Sequence, residues 1–481
     1  MLFEGVPYAQ YAAWMKKRGK RVRTEPLINF IERKLGVTVL YPTNDPLLGK
    51  IELAEVREIA ELLKRTGIIK SLEYIEHLPD EPSIRLWECA YNLPGRHVSG
   101  GLSTNRDDEA LYAALAEALE RYLWSTQTDY FRAPQRATTA EISRAGRHIP
   151  PERFVGFSNE QRTRDQALAL TADASYRWIR GTSLIDDRDV FLPAQTVSKT
   201  RDPLKGLERE PLIREQSTIG LATWPTKSGA RHAAALELIE HDAYMILWLN
   251  QLTLPRVRME QLRAKNSSLD TLMKSCERYL LNVHVVRMLT DAPAYAICAI
   301  VEDKSGQAPR FAVGLSANGS LARASEKAIL EALRSRASYR RSSNEKKEAS
   351  EAVPLETIDH RGRRFYWGKP EHASGLEFLI RGAEEDVSYA AWENDSREEH
   401  LNRIIEWCRT NNYECAAVSL GTSKKNPTAW HVERVVMPDL QTTHLNESRR
   451  HFDGKRLKDI PRLFGFTPAI KPFIQAPHPF V

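Results

Sequence analysis

Residues 110–124 read ALYAALAEALERYLW, a run that is apolar on every face a helix could have except at Glu117, Glu120 and Arg121. A helix with an apolar circumference belongs inside a large protein, where a charge must be paired or bound. Either Glu117 and Arg121 neutralise each other as an i,i+4 pair, or these side chains serve a ligand. The same pattern returns in HAAALELIEHDAYMILWL, where Glu237, Glu240, His241 and Asp242 interrupt an otherwise apolar helix. A third, weaker copy, KAILEALRSRASY, carries Glu331 in the first acidic position and Arg334 in the second. Each copy follows a Gly-Leu segment, GGLSTN at 100–105, IGLATW at 219–224 and GLSANG at 314–319, with 15, 16 and 16 residues from the Leu to the first Glu. A threefold turn-helix repeat with acids at matched depth is hard to attribute to surface salt bridges.

Glutamates three apart share a helix face, so two such helices packed together direct four carboxylates towards one point. These cannot all stay ionised without cations, and magnesium suits them because it takes hard oxygen ligands and completes its shell with water and phosphate oxygens. Backbone N–H groups of the glycine turns could then meet phosphates, or the Ser and Thr of those turns could simply cap helices. This predicts a nucleotide site without a Walker sequence. GxxxxGK[ST], GxGxxG after a strand, HExxH, an EF-hand loop and GxSxG are all absent from the chain.

With 481 residues, 42% hydrophobic and 27% charged, the chain can form one large core or two to three domains. It contains no apolar run of the roughly 18 residues a membrane span needs, and its first charges follow the apolar start, unlike a signal peptide, so a cytoplasmic location without membrane attachment is expected. Cys89, Cys276, Cys298, Cys408 and Cys415 have no CxxC spacing and read as core thiols. A basic run, MKKRGKRVR at 15–23, is a solvated helix end or loop, or a contact for acidic peptide or RNA. Nucleic-acid binding is not expected, because no aromatic stacking motif accompanies it.

The GGLS segment with ALAEALER, STIGLA with LELIEHDAYMILW, and the tail QAPHPFV resemble the YcaO superfamily, in particular its azoline-forming peptide cyclodehydratases. The resemblance covers residues 62–481, beginning near RTGIIKSLEYIEH, and VVMPDLQTTHLNESRR adds to it. It implies an α/β, YcaO-type fold with repeated turn-helix units around a central nucleotide site, and ATP and Mg2+ as cofactors. By the same resemblance Glu117, Glu120, Glu237 and Glu240 hold magnesium, and Arg121 meets a phosphate or orients a carboxylate. Ser99, Gly100, Gly101 and Ser103 form one phosphate turn, Ser217, Thr218 and Gly220 a second, and Glu331 and Arg334 the third wall. Asp242 and Trp248 fit the family pattern or serve packing alone.

This chain departs from that pattern in having no Lys in the first glycine turn, His241 where an Arg is common, and Val481 in place of a third proline. Arg334 or Arg336 would have to replace the missing cations. The implied reaction is attack by a Cys, Ser or Thr side chain of a ribosomal precursor peptide on the preceding carbonyl, followed by ATP-dependent phosphorylation of the amide oxygen, which leaves as phosphate and gives a thiazoline or oxazoline. Candidates for the base are His241, His478 and the terminal carboxylate of Val481. Pro477 and Pro479 would stiffen the tail and place the terminus in a pocket, unless that tail is inert. The alternatives are thioamide or amidine formation, and a non-catalytic scaffold. Expected partners are the precursor peptide, a separate leader-binding protein and, optionally, a flavin-dependent azoline dehydrogenase. We read residues 1–61 as an N-terminal extension containing a strand in VTVLYPTNDP and a helix in IELAEVREIAELLKR, and residues 62–481 as the ATP-binding domain. RRSSNEKKEASEAVPLE, residues 340–356, reads as a mobile connection; EEHLNRIIEWCRTNNYECAAVSL reads as helix then strand, and RVVMP as a strand.

Overall fold

The computed structural model describes residues 54–95, 97–126, 135–197, 199, 210–342, 358, 360–421, 426–470, 474 and 476–480. The basic run, VTVLYPTNDP, most of RRSSNEKKEASEAVPLE and Val481 lie outside the described residues.

Three sheets form the frame. The first runs β1 (Ile69–Tyr74), β2 (Arg85–Tyr91), β3 (Val98–Ser103), all antiparallel. A six-stranded sheet is ordered β4 (Gln135–Thr138), β5 (Ser175–Ser183), β13 (Ala416–Leu420), β14 (His431–Val436), β7 (Leu221–Trp224), with β6 (Asp189–Pro193) also on β5. A five-stranded sheet is ordered β11 (Phe311–Asn318), β10 (Tyr295–Asp303), β9 (Leu281–Arg287), β8 (Arg256–Val257), β12 (Glu384–Glu385). Five helices matter for the site: α1 (Ala54–Arg65), α2 (Asp107–Thr126), α3 (Lys227–Asn250), α4 (Leu321–Arg341) and α5 (Arg397–Thr410).

The α/β class expected from the sequence is what the chain adopts, with EEHLNRIIEW as α5 and RVVMP at the end of β14. Two of the three Gly-Leu segments are strand rather than turn, while in the other Ile219 and Gly220 form a turn, closed by the Leu221 N–H donating to the Thr218 carbonyl. GGLSTN and GLSANG are the C-terminal ends of β3 and β11, and IGLATW runs into β7. Each is the edge strand of its own sheet, and each is followed directly by one of the acidic helices α2, α4 or α3. The reason for glycine is close packing. A Cβ on Gly101 would lie 1.8 Å from the Ala110 carbonyl oxygen of α2, and one on Gly314 would lie 2.2 Å from that of Ala328 on α4. Neither strand could carry its helix so close with any other residue.

Burial follows from alternation. In β10 all nine residues are buried; Ala296, Cys298 and Ile300 pack with α3, while Ile297, Ala299 and Val301 pack with α4. The five-stranded sheet is thus covered on both faces, which accounts for its continuous apolar sequence. In α2, Leu111, Ala114, Leu115, Ala118, Leu119 and Leu123 are fully buried, and at roughly 25 cal/mol per Å2 this seam fixes the helix more firmly than its charges do. The proposed boundary at residue 61 falls inside α1, whose Val56, Ile59, Ala60 and Leu63 belong to the same core as α2. All five cysteines are free and buried. Among the described residues no helix is long and apolar enough to cross a membrane.

Candidate functional site

The edge strand of a sheet carries backbone N–H groups with no strand to bond to. Here helix carboxylates take them. Gly100 N–H donates to Glu117 Oε2 at 2.8 Å, Gly220 N–H to Glu237 Oε2 at 2.9 Å, and Ala317 N–H of β11 to Glu240 Oε2 at 2.9 Å. Gly220 can present its N–H this way because it sits at φ +85°, a conformation glycine accepts readily. The glycine N–H groups expected to face phosphates therefore orient carboxylates in this structure.

The acids are crowded. Burial and the neighbouring Glu237 carboxylate push Glu120 well above the usual carboxylate range. Burial raises Glu237 as well, although Lys327, Arg434 and the Gly220 N–H oppose it. Glu240, only 8% exposed, is pushed up to about 7 by burial, with Glu237 adding to the effect against the opposing charge of Lys327. At Glu117 burial acts the same way, but Arg121, Arg334 and the Gly100 N–H outweigh it and hold the carboxyl below its usual range. This set of hard oxygen donors, in which three of the four carboxyls are raised by their surroundings, fits Mg2+.

Cations face the same space. Arg121 donates through Nε to Glu117 Oε1 at 2.8 Å, so the i,i+4 pair is formed, inside the site rather than on the surface. Arg334, 3.6 Å from Glu331, lies over Gly100, where a Cβ would come within 2.9 Å of its Nη2. Two further cations were not recognised in the sequence. Lys327 of α4 lies among these acids, and although desolvation opposes its charge, Glu240, Glu331, Glu237 and Glu117 outweigh it and raise its pKa. It stands four residues before Glu331 on the same helical stripe, a spacing that could have disclosed it. Arg434 reaches the site from β14, opposite Leu221 of β7, and donates to the carbonyls of Thr196 and Ser217. Burial lowers it to about 10 against the pull of Glu237 and Glu120. No local pattern in the sequence marks it.

Other expected residues are placed differently. Ser99 is buried and its hydroxyl is held by the carbonyls of Cys89 and Ala114, and Ser103 donates to Glu109, so both serve the β3–α2 junction. Gly101 is occupied by the close approach of α2. Ser217 and Thr218 contribute carbonyls, to Arg434 and to the Leu221 N–H. Arg336 is not at the site: it is buried 2.9 Å from Glu81 and 2.6 Å from Asp303, so it cannot replace a phosphate contact. The α4 cation that does stand among the carboxylates is Lys327. Asp242 pairs with Arg456 at 2.8 Å, and Trp248 packs between Trp367 and Phe378.

His241 is buried beside the site, 2.6 Å through Nδ1 from Thr443 Oγ1, and burial with the Lys327 charge lowers it to about 4, so it is neutral at neutral pH. His478 bonds the His444 carbonyl at 3.0 Å, and burial keeps it neutral as well. The tail docks against α3. Trp367 donates to the Pro477 carbonyl, Arg450 to that of Ile474, and the Phe480 ring meets His241 at 5.7 Å and Tyr244 at 6.0 Å. The His444, Glu447 and His478 side chains converge there, but Glu447 already accepts from Arg363 and Arg450 at 2.9 Å, so the cluster is neutralised by protein cations.

A protein family described as YcaO cyclodehydratase, ATP- and Mg2+-binding, matches residues 103–441. Among solved structures, a heterocyclase in complex with substrate and cofactor superposes with a TM-score of 0.70 at 19% identity, over 88% of this chain and 57% of that one. YcaO from Methanopyrus kandleri bound with AMPPCP and Mg2+ gives 0.57 at 17% identity, over 83% and 94%. The E. coli microcin synthetase McbBCD complex with pro-MccB17 bound gives 0.53 at 14%, over 77% and 88%. The chain thus spans little more than half of that heterocyclase. No curated protein matches it.

Proposed function

Since this chain belongs to the YcaO family of ATP- and Mg2+-binding cyclodehydratases, we propose that it converts Cys, Ser or Thr residues of a ribosomal precursor peptide to thiazolines or oxazolines. The observation that carries this reading is the carboxylate cleft, in which Glu117 and Glu240 are each aimed by an edge-strand N–H and Glu237 by the N–H of the turn leading into one. Glu117, Glu120, Glu237 and Glu240 would hold magnesium, while Lys327, Arg334, Arg121 and Arg434 would hold phosphate oxygens. Bound ATP with Mg2+ would supply the phosphoryl group that turns a poor leaving group, the amide oxygen, into a good one. His241, neutral and next to the carboxylates, is the side chain suited to take the proton of the attacking hydroxyl or thiol. The docked tail delivers Phe480 against His241 and so limits the water that reaches it.

Two of the structural relatives are solved with a peptide or substrate bound, and one of them is a multi-protein complex. On that analogy this chain works with a separate protein that grips the leader of its peptide, and a flavin-dependent dehydrogenase could follow it. The test is a calorimetric titration of ATP with Mg2+ into wild type and a Glu117→Gln, Glu237→Gln double variant, with mass spectrometry of an incubated precursor peptide. Magnesium-dependent binding lost in the variant, with one water lost from the peptide and one phosphate released per ring, is the expected result. ATP binding without any loss of water from peptide in the presence of the leader-binding partner would remove the azoline assignment.

A further inference from the structure

A second polar pocket, of about 330 Å3, lies beside the carboxylate cleft between the first turns of α4 and α5 and His232 of α3. Arg323 is the third residue of α4 and Arg397 the first of α5. A cation in the first turn of a helix opposes the helix dipole, so two of them facing one pocket are unfavourable unless an anion joins them. Of the pocket's own carboxylates, one is neutralised by an outside cation and the other is held by hydrogen bonds at the pocket wall. Glu393 accepts from Ser320 Oγ at 2.8 Å and from Leu321 N–H at 3.2 Å, and Asp395 is bound by Arg403. Neither Arg323 nor Arg397 forms an ion pair among the described residues, and Arg397 is held with its guanidinium 4.0 Å over the Trp224 ring.

The two histidines add a second element of recognition. His400 Nε2 faces the carbonyl of Pro293, which can only accept, so this nitrogen carries the proton. In the neutral ring Nδ1 is then an acceptor, and it is met at 2.8 Å by His232 Nε2, which must be the donor. His232 is held neutral by burial, with the Arg397 charge adding to the effect, so its remaining nitrogen, Nδ1, is an acceptor, and it is buried with no donor against it. Two guanidiniums and one acceptor nitrogen match an oxyanion that still bears a proton.

We propose that this pocket binds inorganic phosphate in a protonated form, Arg323 and Arg397 taking its oxygens and His232 Nδ1 its hydroxyl. The assignment stands on the pocket's own chemistry. Its connection to turnover, as a resting place for phosphate released one to two helical turns away, rests on the reading of the nucleotide site. The closing experiment is calorimetric titration of phosphate and of sulfate, near neutral pH, into the full chain with its nucleotide site filled by Mg2+ and a non-hydrolysable ATP analogue. Sulfate has the same shape and charge but no proton to give. Saturable phosphate binding, weaker sulfate binding, and a loss of about tenfold or more in phosphate affinity in each of Arg323→Gln and Arg397→Gln, with the analogue binding as in wild type, are expected. No saturable phosphate binding, sulfate binding as tightly, or affinity unchanged in both variants overturns the proposal. Failure of the analogue to bind would count against the nucleotide reading alone, because the phosphate titration can still be read without it.

Discussion

The Gly220 N–H donates to Glu237 Oε2 at 2.9 Å across 17 residues of sequence, and Gly100 does the same to Glu117 at 2.8 Å across the same 17. In both units a glycine N–H, on the strand before the helix or in the turn leading into that strand, aims the first carboxylate of the helix. The orientation of these acids is therefore set before any ligand arrives, which reduces the ordering cost of binding.

Glu120 bears the strongest electrostatic conflict in the cleft, from burial and the Glu237 carboxylate. In Glu120→Gln that conflict is relieved, so the metal-free protein is expected to gain about 1 kcal/mol of stability. The extra stability conferred by ATP with Mg2+ should shrink in the same variant. Thermal unfolding with and without ligand reads both effects, and a metal-free variant less stable than wild type would contradict the account.

His451 is buried between Thr442 and the Glu215 N–H, and burial, with the charges around it, lowers it to about 3. The unfolded chain takes up a proton here below about pH 6.5, while the folded chain does not until about 3. The sign follows: this group's contribution is fully present above 6.5 and is lost as pH falls towards 3, by about 1.4 kcal/mol per unit. His232 is lowered to about 3 as well and adds a parallel loss. Urea unfolding free energies at several values between pH 7 and 5 should therefore fall, and fall less steeply in His451→Gln.

Arg336, Glu81 and Asp303 form a buried ionic cluster behind α4. Arg336→Met leaves two buried carboxylates short of a partner and is expected to cost about 3–5 kcal/mol in chemical denaturation. The variant that remains folded should bind ATP with Mg2+ as wild type does. A large loss of nucleotide affinity in a fully folded variant would return Arg336 to the site.

Gly101→Ala places a methyl group 1.8 Å from the Ala110 carbonyl oxygen, so α2 has to move. Destabilisation of about 1–3 kcal/mol is expected. Because α2 carries Glu117 and Glu120, magnesium-dependent ATP affinity should drop too, although an added methyl group touches no ligand. Unchanged affinity would show that the helix position is not what sets the metal site.

Much of the site could be read along the chain because it is built from a local repeat. Glu117, Glu120, Glu237 and Glu240 stand at fixed spacing on helices whose apolar surroundings make a charge conspicuous, and Lys327 stood on the third copy of the same stripe. The role of the glycines is not legible along the chain, for a physical reason. A Gly-Leu segment before a helix is equally compatible with a phosphate-binding turn and with an edge strand on which a helix sits within van der Waals contact, and no property of the segment itself separates the two.

Arg434, Arg336 and the His232–His400 pair illustrate the other side. Arg434 gains its role by lying beside Leu221 across 213 residues of chain, from 221 to 434, through the pairing of β14 with β7. Arg336 has the helical spacing of a site residue and is withdrawn from it by Glu81 and Asp303. His232 and His400 meet only because α3 and α5 pack together. The sequence by itself determined which helices carry acids and at what depth, since helical period and burial are local properties. Which backbone groups aim those acids, and which cations answer them, was decided only when three sheets brought their edges to one place, because an edge strand's free N–H groups acquire partners from the tertiary packing and not from neighbours in the chain.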